Sequence, residues 1–550
     1  MRFSPGFESS TCCKPSPDGG LVATLLNTKL ILRSTISFEI VRTITISPEF
    51  ASQVSFLRWS PPEKTSEGGT GPVRVLLADD DTVCAWDVRD PSWSVTINGA
   101  GGGIGRILNV EFGPNTDEIL VFTDYGIKVT IWSLRTSRSI DIRDPKFTTK
   151  GYGFRPRTRQ FALISRPAAH DLLTLHAATE YNVLISLTLP TVDAQGLRWS
   201  PCGRWIAIWD SVASGPKIHI YTADGHLYRS HSGSQDEEVR GLGIKSVEWS
   251  PLGDFLAIGD YEDRMSLLSG STFTPTSFLD HPTTIDIPKT PVWQENVSSL
   301  GERSFAGASQ PTCPPTVTTV PTDPIPKMGI STIAFDKPNG TLLATRCDNM
   351  PTTVWIWSLK LLTPCALVIH HSAVKSVEWH PTTPGLLLTQ CVNQEGVIYL
   401  WREGWDAPQV VKTPLEKLVG KSRAVWIVDS KQPDSSSEPD PSSFSSDVAK
   451  RSPLFFLGDT MQYVLGHALI EELERPGSLE QTNASGVTEG SAERTEDQSV
   501  GPYMSAEKSV TDNAPQLFSR SSPSNTELFE DSVDVDVDDT FHYRKGDGTP

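Results

Sequence analysis

The chain has 550 residues, 37% of them hydrophobic, and a formal net charge of −18. That apolar content suffices for a packed core, yet no run approaches the 18 or more residues of a membrane span, and the opening MRFSPGFESSTCC lacks the basic-then-apolar order of a secretory signal. Phosphate binding needs concentrated Lys and Arg, so the balance argues against a nucleic-acid partner; from Glu471 onward 18 acidic residues face 6 basic ones, which puts −12 of the charge in the tail.

In chain order, one short phrase keeps returning: apolar residues, an aromatic, a polar residue, then Pro or a turn. A weak first copy, CCKPSPDGG, has Pro15 where the aromatic belongs. VSFLRWSPP carries Trp59, NVEFGPN Phe112, GYGFRPR Phe154 and GLRWSPCG Trp199. SVEWSPLG carries Trp249, TIAFDKPNG Phe335, SVEWHPTTP Trp379 and a weaker AVWIVDS Trp426. The steps between these nine anchors are 44, 53, 42, 45, 50, 86, 44 and 47 residues, and all but one lie near the period of four-stranded propeller blades.

Each step holds the rest of a blade. After Trp249 come FLAIGD, the turn YEDR, MSLLS and TSFLD; after Phe112 come EILVFTD, YG and IKVTIWS; after Trp379 come GLLLTQC, VNQEG and VIYLW. These apolar runs of four to six residues between turn residues predict antiparallel strands, and no segment sustains the i, i+3, i+4, i+7 pattern of a helix. Asp79, Asp124, Asp260, Asp348 and Asn393 fall at the turn between second and third strands, where their side chains can bond nearby amides. Third strands end in Trp86-Asp87, Trp132-Ser133, Trp357-Ser358 and Trp401-Arg402 and in this resemble WD40 repeats. The consensus Gly-His is replaced or missing, with His281 and His371 as loose candidates, so the buried Asp–His–Ser/Thr–Trp network is expected to be absent from most blades and apolar packing to carry stability.

The fold expectation is therefore an all-β, WD40-type β-propeller over 1–470 with about nine four-stranded units, forming one large ring of eight or nine blades; two propellers are the alternative. The 86-residue step predicts a flexible Pro/Ser/Thr-rich insertion at about 282–326, and DSKQPDSSSEPDPSSFSSD a second at about 429–452. The acidic tail, 471–550, is expected to be disordered.

Little points to chemistry. Gly99–Gly105 has the look of a phosphate-cradling loop, but it precedes the strand ILNVEF instead of opening a helix, and so is expected to be an inter-blade loop. His370-His371 with nearby His380 lacks a Cys or carboxylate to complete a metal set, and no Gly-x-Ser-x-Gly, His-Glu-x-x-His or kinase signature occurs. Eight scattered cysteines with no C-x-x-C pair read as reduced thiols. The expectation is a protein without catalytic, cofactor or metal residues. Ser-Pro and Thr-Pro pairs such as Thr290-Pro291, Ser452-Pro453 and Ser522-Pro523 are too common in a chain with 42 prolines to single out a phosphorylation site.

A narrower resemblance rests on Pro326-Lys327-Met328-Gly329-Ile330, Leu343–Pro351 (LATRCDNMP), Val354-Trp355-Ile356-Trp357, Gly243–Pro251 (GIKSVEWSP) and Ala207–Asp210 (AIWD). In these phrases the chain resembles the WD-repeat family of centrosomes and spindle pole bodies. The resemblance implies a non-enzymatic scaffold in the cytoplasm and cytoskeleton, at the spindle pole body or centrosome (the microtubule organising centre). There it would join a coiled-coil anchoring protein and a minus-end-directed kinesin, tethering microtubule minus ends for mitotic spindle assembly, with no nucleic acid and no membrane. Arg346, Asp348 and Asn349 are the candidate protein-binding residues, since they sit at a strand-to-strand turn in the most family-like phrase; Asp348 and Asn349 also suit shaping that turn. The competing functional class is a translation-initiation-factor-like propeller, for which basic surface patches would be expected.

Overall fold

The computed structural model describes residues 1–63, 71–101, 105–232, 242–317, 328–428 and 452–468. The second low-complexity stretch and the acidic tail lie outside the described residues, apart from Ser452. Nine sheets follow one another along the chain. Their innermost strands are Cys13–Pro15, Phe56–Trp59, Ile107–Phe112, Tyr152–Phe154, Gly196–Trp199, Ile244–Trp249, Ile330–Phe335, Val374–Trp379 and Arg423–Ile427, so every anchor lies on a first strand. Among the described residues helix is nearly absent: Pro48–Gln53 is the one short α-helix, beside two single 3-10 turns.

Why the strands read as continuous apolar runs is visible in their packing. On the second strand of blade two, Val75 and Leu77 face blade one while Leu76 and Ala78 face blade three. On blade eight, Leu387 faces blade seven while Leu386 and Leu388 face blade nine. Side chains alternate across a strand, so burying both faces requires apolar residues at every position. Each of nine apolar clusters lies between consecutive blades, and the last joins Val22 of blade one to Ile427, Phe456, Tyr463 and Leu465 of blade nine. The result is one closed nine-bladed ring, not two propellers.

The anchor tryptophans have a second task. Trp59, Trp199, Trp249, Trp379 and Trp426 each donate their indole N–H to a carbonyl in the preceding blade. The acceptors are Lys14, Gly153, Arg198, Ala334 and Glu378, at 3.0, 3.2, 3.4, 2.8 and 3.0 Å, and each immediately precedes that blade's own anchor. The repeated aromatic thus fixes the spacing of neighbouring inner strands as well as filling the interface.

Closure uses the N-terminus. Blade nine supplies Arg423–Ile427, Leu454–Gly458 and Gln462–His467, and its outer edge is completed by Arg2–Phe3 and Phe7–Glu8. Ser4 N–H donates to Leu465 O at 2.8 Å and Ser9 N–H to Met461 O at 2.8 Å, while Phe7 packs on Tyr463.

The insertion expected as a flexible loop at 282–326 differs from that reading. Val292–Val297 and Arg303–Gly307 form a hairpin that adds to blade seven, Val292–Val297 pairing in parallel with the outer strand Thr363–Ile369. Composition averaged over the insertion hides VWQENV, whose Val292 is buried and whose Glu295 carboxylate is satisfied by Arg303 (2.8 Å), the Tyr399 hydroxyl (2.8 Å) and the His371 amide (2.8 Å). Residues 318–326 of the insertion lie outside the described residues.

Blade seven also builds most of the buried polar network expected to be rare. His281 Nε2 lies 2.7 Å from Thr345 Oγ1, which accepts the Trp357 indole N–H at 2.8 Å. Of the adjacent pair before blade eight, His370 is buried and His371 is exposed. Both His370 ring nitrogens lack a hydrogen-bond partner, and the Glu295 carboxylate stands 3.9 Å away.

Three expectations follow. Trp379→Phe should lose about 1 kcal/mol through the indole bond, and Trp379→Ala about 3–5 kcal/mol through the cavity, in urea unfolding followed by circular dichroism; equal losses would show that the indole bond contributes nothing. Deleting residues 1–10, or everything beyond 420, should lower the melting temperature and cause aggregation, because an apolar sheet edge is left unpaired. Burial pushes His281, His370 and His380 down to about 4 from an ordinary 6.5. As pH falls the unfolded chain therefore binds protons first, so stability holds above 6.5 and declines between 6.5 and 4. His370→Phe should flatten that decline in melting temperature against pH; an unchanged slope would exclude His370 as a contributor.

Candidate functional site

The candidate residues lie where the second strand of blade seven, Leu342–Cys347, turns toward the third, Thr353–Ser358. A recurring feature of the inner strands brings partners to them. Register shifts between Ile244 and Ser246, Ile330 and Thr332, and Val374 and Ser376 leave Lys245, Ser331 and Lys375 as extra residues at the same place in three consecutive blades. Such bulges re-aim a side chain. Lys245 Nζ donates to Met328 O at 2.6 Å and to Asp348 Oδ2 at 2.5 Å, crossing from blade six to blade seven. Ser331 Oγ donates to Asp348 Oδ1 at 2.6 Å. Lys375 Nζ reaches Ser422 of blade nine.

Arg346 extends the chain of contacts. Its guanidinium donates to Asp348 Oδ1 at 2.6 Å, to Ser331 Oγ at 2.8 Å and to the Val374 carbonyl of blade eight. Asn349 Nδ2 donates to Asp263 Oδ2 at 2.6 Å, and Cys347 Sγ to Asp263 Oδ1 at 3.0 Å, tying the turn back to blade six. Burial alone would raise the Asp348 carboxyl, but the bonds from Lys245 and Ser331 and the Lys245 and Arg346 charges outweigh it and hold the carboxyl below its ordinary value. Burial and the neighbouring Asp263 push the Cys347 thiol up to about 12, so it stays protonated and unreactive.

Arg346, Asp348 and Asn349 are thus brought together, and their polar atoms are largely engaged within the chain. The side chains of Arg346 and Asp348 are only 18% and 23% exposed. They tie the turn of blade seven to the inner strands of blades six and eight, so alanine there would act on the ring itself as well as on any partner. The family-like phrases 243–251 and 328–357, far apart in sequence, meet in this network. Asp210 of the phrase AIWD ties its turn to the segment leading into blade five, accepting from the amides of Val192, Asp193 and Ser211 at 3.0, 2.8 and 2.8 Å.

Sequence reading passed over a second feature on the same face. Tyr125, read only as part of a turn, is 85% exposed and holds φ at +70°, followed by Gly126 at +60°. A bulky residue there is strained, and unlike Tyr181 and Phe273, which share positive φ but are buried, Tyr125 faces outward. It borders a cleft of about 560 Å³ between blades three and four, lined also by Ile127, Phe147, Lys146 and Arg166. Lys146 Nζ is 2.8 Å from both Asp171 and Asp193, and Arg166 is 2.5 Å from Asp193, so the cations are locally neutralised and the cleft, lined also by Thr148 and Thr149, offers shape and mixed polar and apolar surface.

The Gly-rich stretch precedes blade three, and its Ala100 carbonyl accepts the Trp132 indole N–H at 2.8 Å; residues 102–104 lie outside the described residues. Among the described residues no group of three or more His, Cys, Asp or Glu is placed to hold a metal, and no helix is long and apolar enough to cross a membrane.

No family model matches the chain. A WD repeat-containing protein of Mus musculus, WRAP73, is 30% identical over 423 residues, covering 73% of this chain and 87% of that one. An uncharacterized WD repeat-containing protein of Schizosaccharomyces pombe is 25% identical over 443 residues, covering 77% of this chain and 86% of that one. Among solved structures, a eukaryotic initiation factor aligns with a TM-score of 0.46 at 13% identity, over 76% of this chain and 90% of that one. With its nine anchored blades and its likeness to the mouse protein along nearly that relative's whole length, the chain belongs to the WD-repeat protein family.

Proposed function

We propose that this WD-repeat scaffold is non-enzymatic and acts at the spindle pole body or centrosome. It joins a coiled-coil anchoring protein and a minus-end-directed kinesin, so that microtubule minus ends are tethered and the mitotic spindle assembles. The observation that carries the reading is the convergence of the family-like phrases 243–251 and 328–357 on one face of the ring, locked by Lys245, Asp348 and Arg346. Held turns lose little entropy on binding, which suits a docking platform. Tyr125 on the same face supplies an exposed aromatic of the kind that anchors interfaces.

A tagged copy followed through division should concentrate at the spindle poles and co-purify a coiled-coil pole component and a kinesin. Even spread through the cytosol at mitosis, with no pole component recovered, would exclude the reading. Tyr125→Asn separates contact from fold, because Asn tolerates positive φ better than Tyr. Its unfolding free energy should hold or rise, by about 0.5–1 kcal/mol of relieved strain, while partner recovery falls several-fold. Undiminished recovery would remove Tyr125 from the interface.

A further inference from the structure

An outer strand leaves one row of backbone groups unpaired at the rim, and proteins blunt such edges with charge, Pro, shortness or a cover. Around this ring the devices can be read strand by strand. Ile40–Thr45 carries Arg42, Ser139–Arg143 carries Asp141 and Arg143, and Leu227–His231 carries Arg229. Pro275–Asp280 has both Pro275 and Asp280, Gln409–Lys412 ends in Lys412, and Ser94–Ile97 has only four residues. The apolar Thr363–Ile369 is covered by the inserted hairpin, and blade nine ends in the N-terminal segments with Arg2 and Glu8. Blade four differs. Its outer strand Val183–Thr188, VLISLT, has six residues, no charge, no Pro and no covering strand among the described residues; its one interruption is a bulge at Leu184, and the bulge at Cys365 in Thr363–Ile369 does not prevent a strand from pairing beyond it. Val183 and Leu184 are 59% and 52% exposed.

We infer that the Val183–Thr188 edge is a strand-addition site for an extended, uncharged segment of a partner protein with apolar residues at alternate positions. The inference rests on the scaffold reading and names one surface by which it would work. Blade seven shows that this ring accepts an added strand on an outer edge: three register pairs, Val292 with Leu367, Trp293 with Val368 and Gln294 with Ile369, suffice to bury Val292. On blade four, Ile185 and Leu187 lean toward blade five, where Gly225 at φ +83° lets the turn come close to both. An incoming strand that continues their row would place its own alternate side chains beside them. A second copy of this chain is the poorer occupant. Two convex rims meeting along one six-residue strand each would bury far less than the ~1,200 Å² of a stable interface.

The test uses purified full-length protein and a fluorescent decapeptide of alternating Ile and Thr with Lys at each end. Saturable binding is expected, with added amide-exchange protection confined to Val183–Thr188. Leu184→Lys with Ser186→Lys, both at exposed positions, should weaken binding at least tenfold at an unchanged melting temperature, and Ser186→Lys alone severalfold. Absence of binding, protection elsewhere, or equal affinity in the Lys variants overturns the inference. Concentration-dependent self-association abolished by Leu184→Lys overturns it in favour of a second copy. Because no spindle component enters the assay, its failure is distinct from failure to localise at the poles.

Discussion

Every blade buries both of its faces, and that condition governs the whole ring. A four-stranded sheet with apolar residues at consecutive positions cannot leave either face in water, so each blade needs a neighbour on both sides. An open row of nine would strand two such faces. Closure removes them, and it does so by contact between the two ends of the ring domain: Val22 packs into blade nine, and Arg2–Phe3 pairs with Gln462–His467. Stability is therefore shared around the circle, and no single blade can be judged apart from the next.

Because packing supplies cohesion, the polar network typical of these repeats can be sparse. Among the described residues it is a buried His and Thr beside Trp357 that form it, with Asp263 turned instead toward Cys347 and Asn349. Elsewhere the inner-strand tryptophans reach backward to a neighbour's carbonyl, which holds adjacent blades in register without any side-chain acceptor. At blades six to nine the bulged Lys245, Ser331 and Lys375 add contacts around the axis, each to the next blade or to a partner that reaches it.

The blades and their order were legible because the anchor aromatic recurs at a nearly constant spacing and because turns separate short apolar runs. What escaped reading depends on distant partners. The closing strands are two residues each, split by Pro5-Gly6, and mean nothing until Gln462–His467 is beside them. The hairpin at 292–307 is diluted by its Pro-rich surroundings. His370 and His371 are indistinguishable in sequence, and only the outer strand's end decides which one turns inward. At the candidate site the turn itself could be read, but not that Asp348 would meet Lys245, 103 residues away.

A closed ring divides its surface into two kinds of place for another protein. On the face, side chains project from turns held by cross-blade bonds, so recognition is by preformed shape, and a strained residue such as Tyr125 can persist because its surroundings fix it. At the rim the backbone itself is on offer, and recognition there needs only an extended segment of compatible pattern. The two are independent, since a strand added at the outer edge leaves the turns around the axis untouched. A scaffold built this way can hold a folded partner on its face and an unfolded segment of another at its rim, with neither displacing the other.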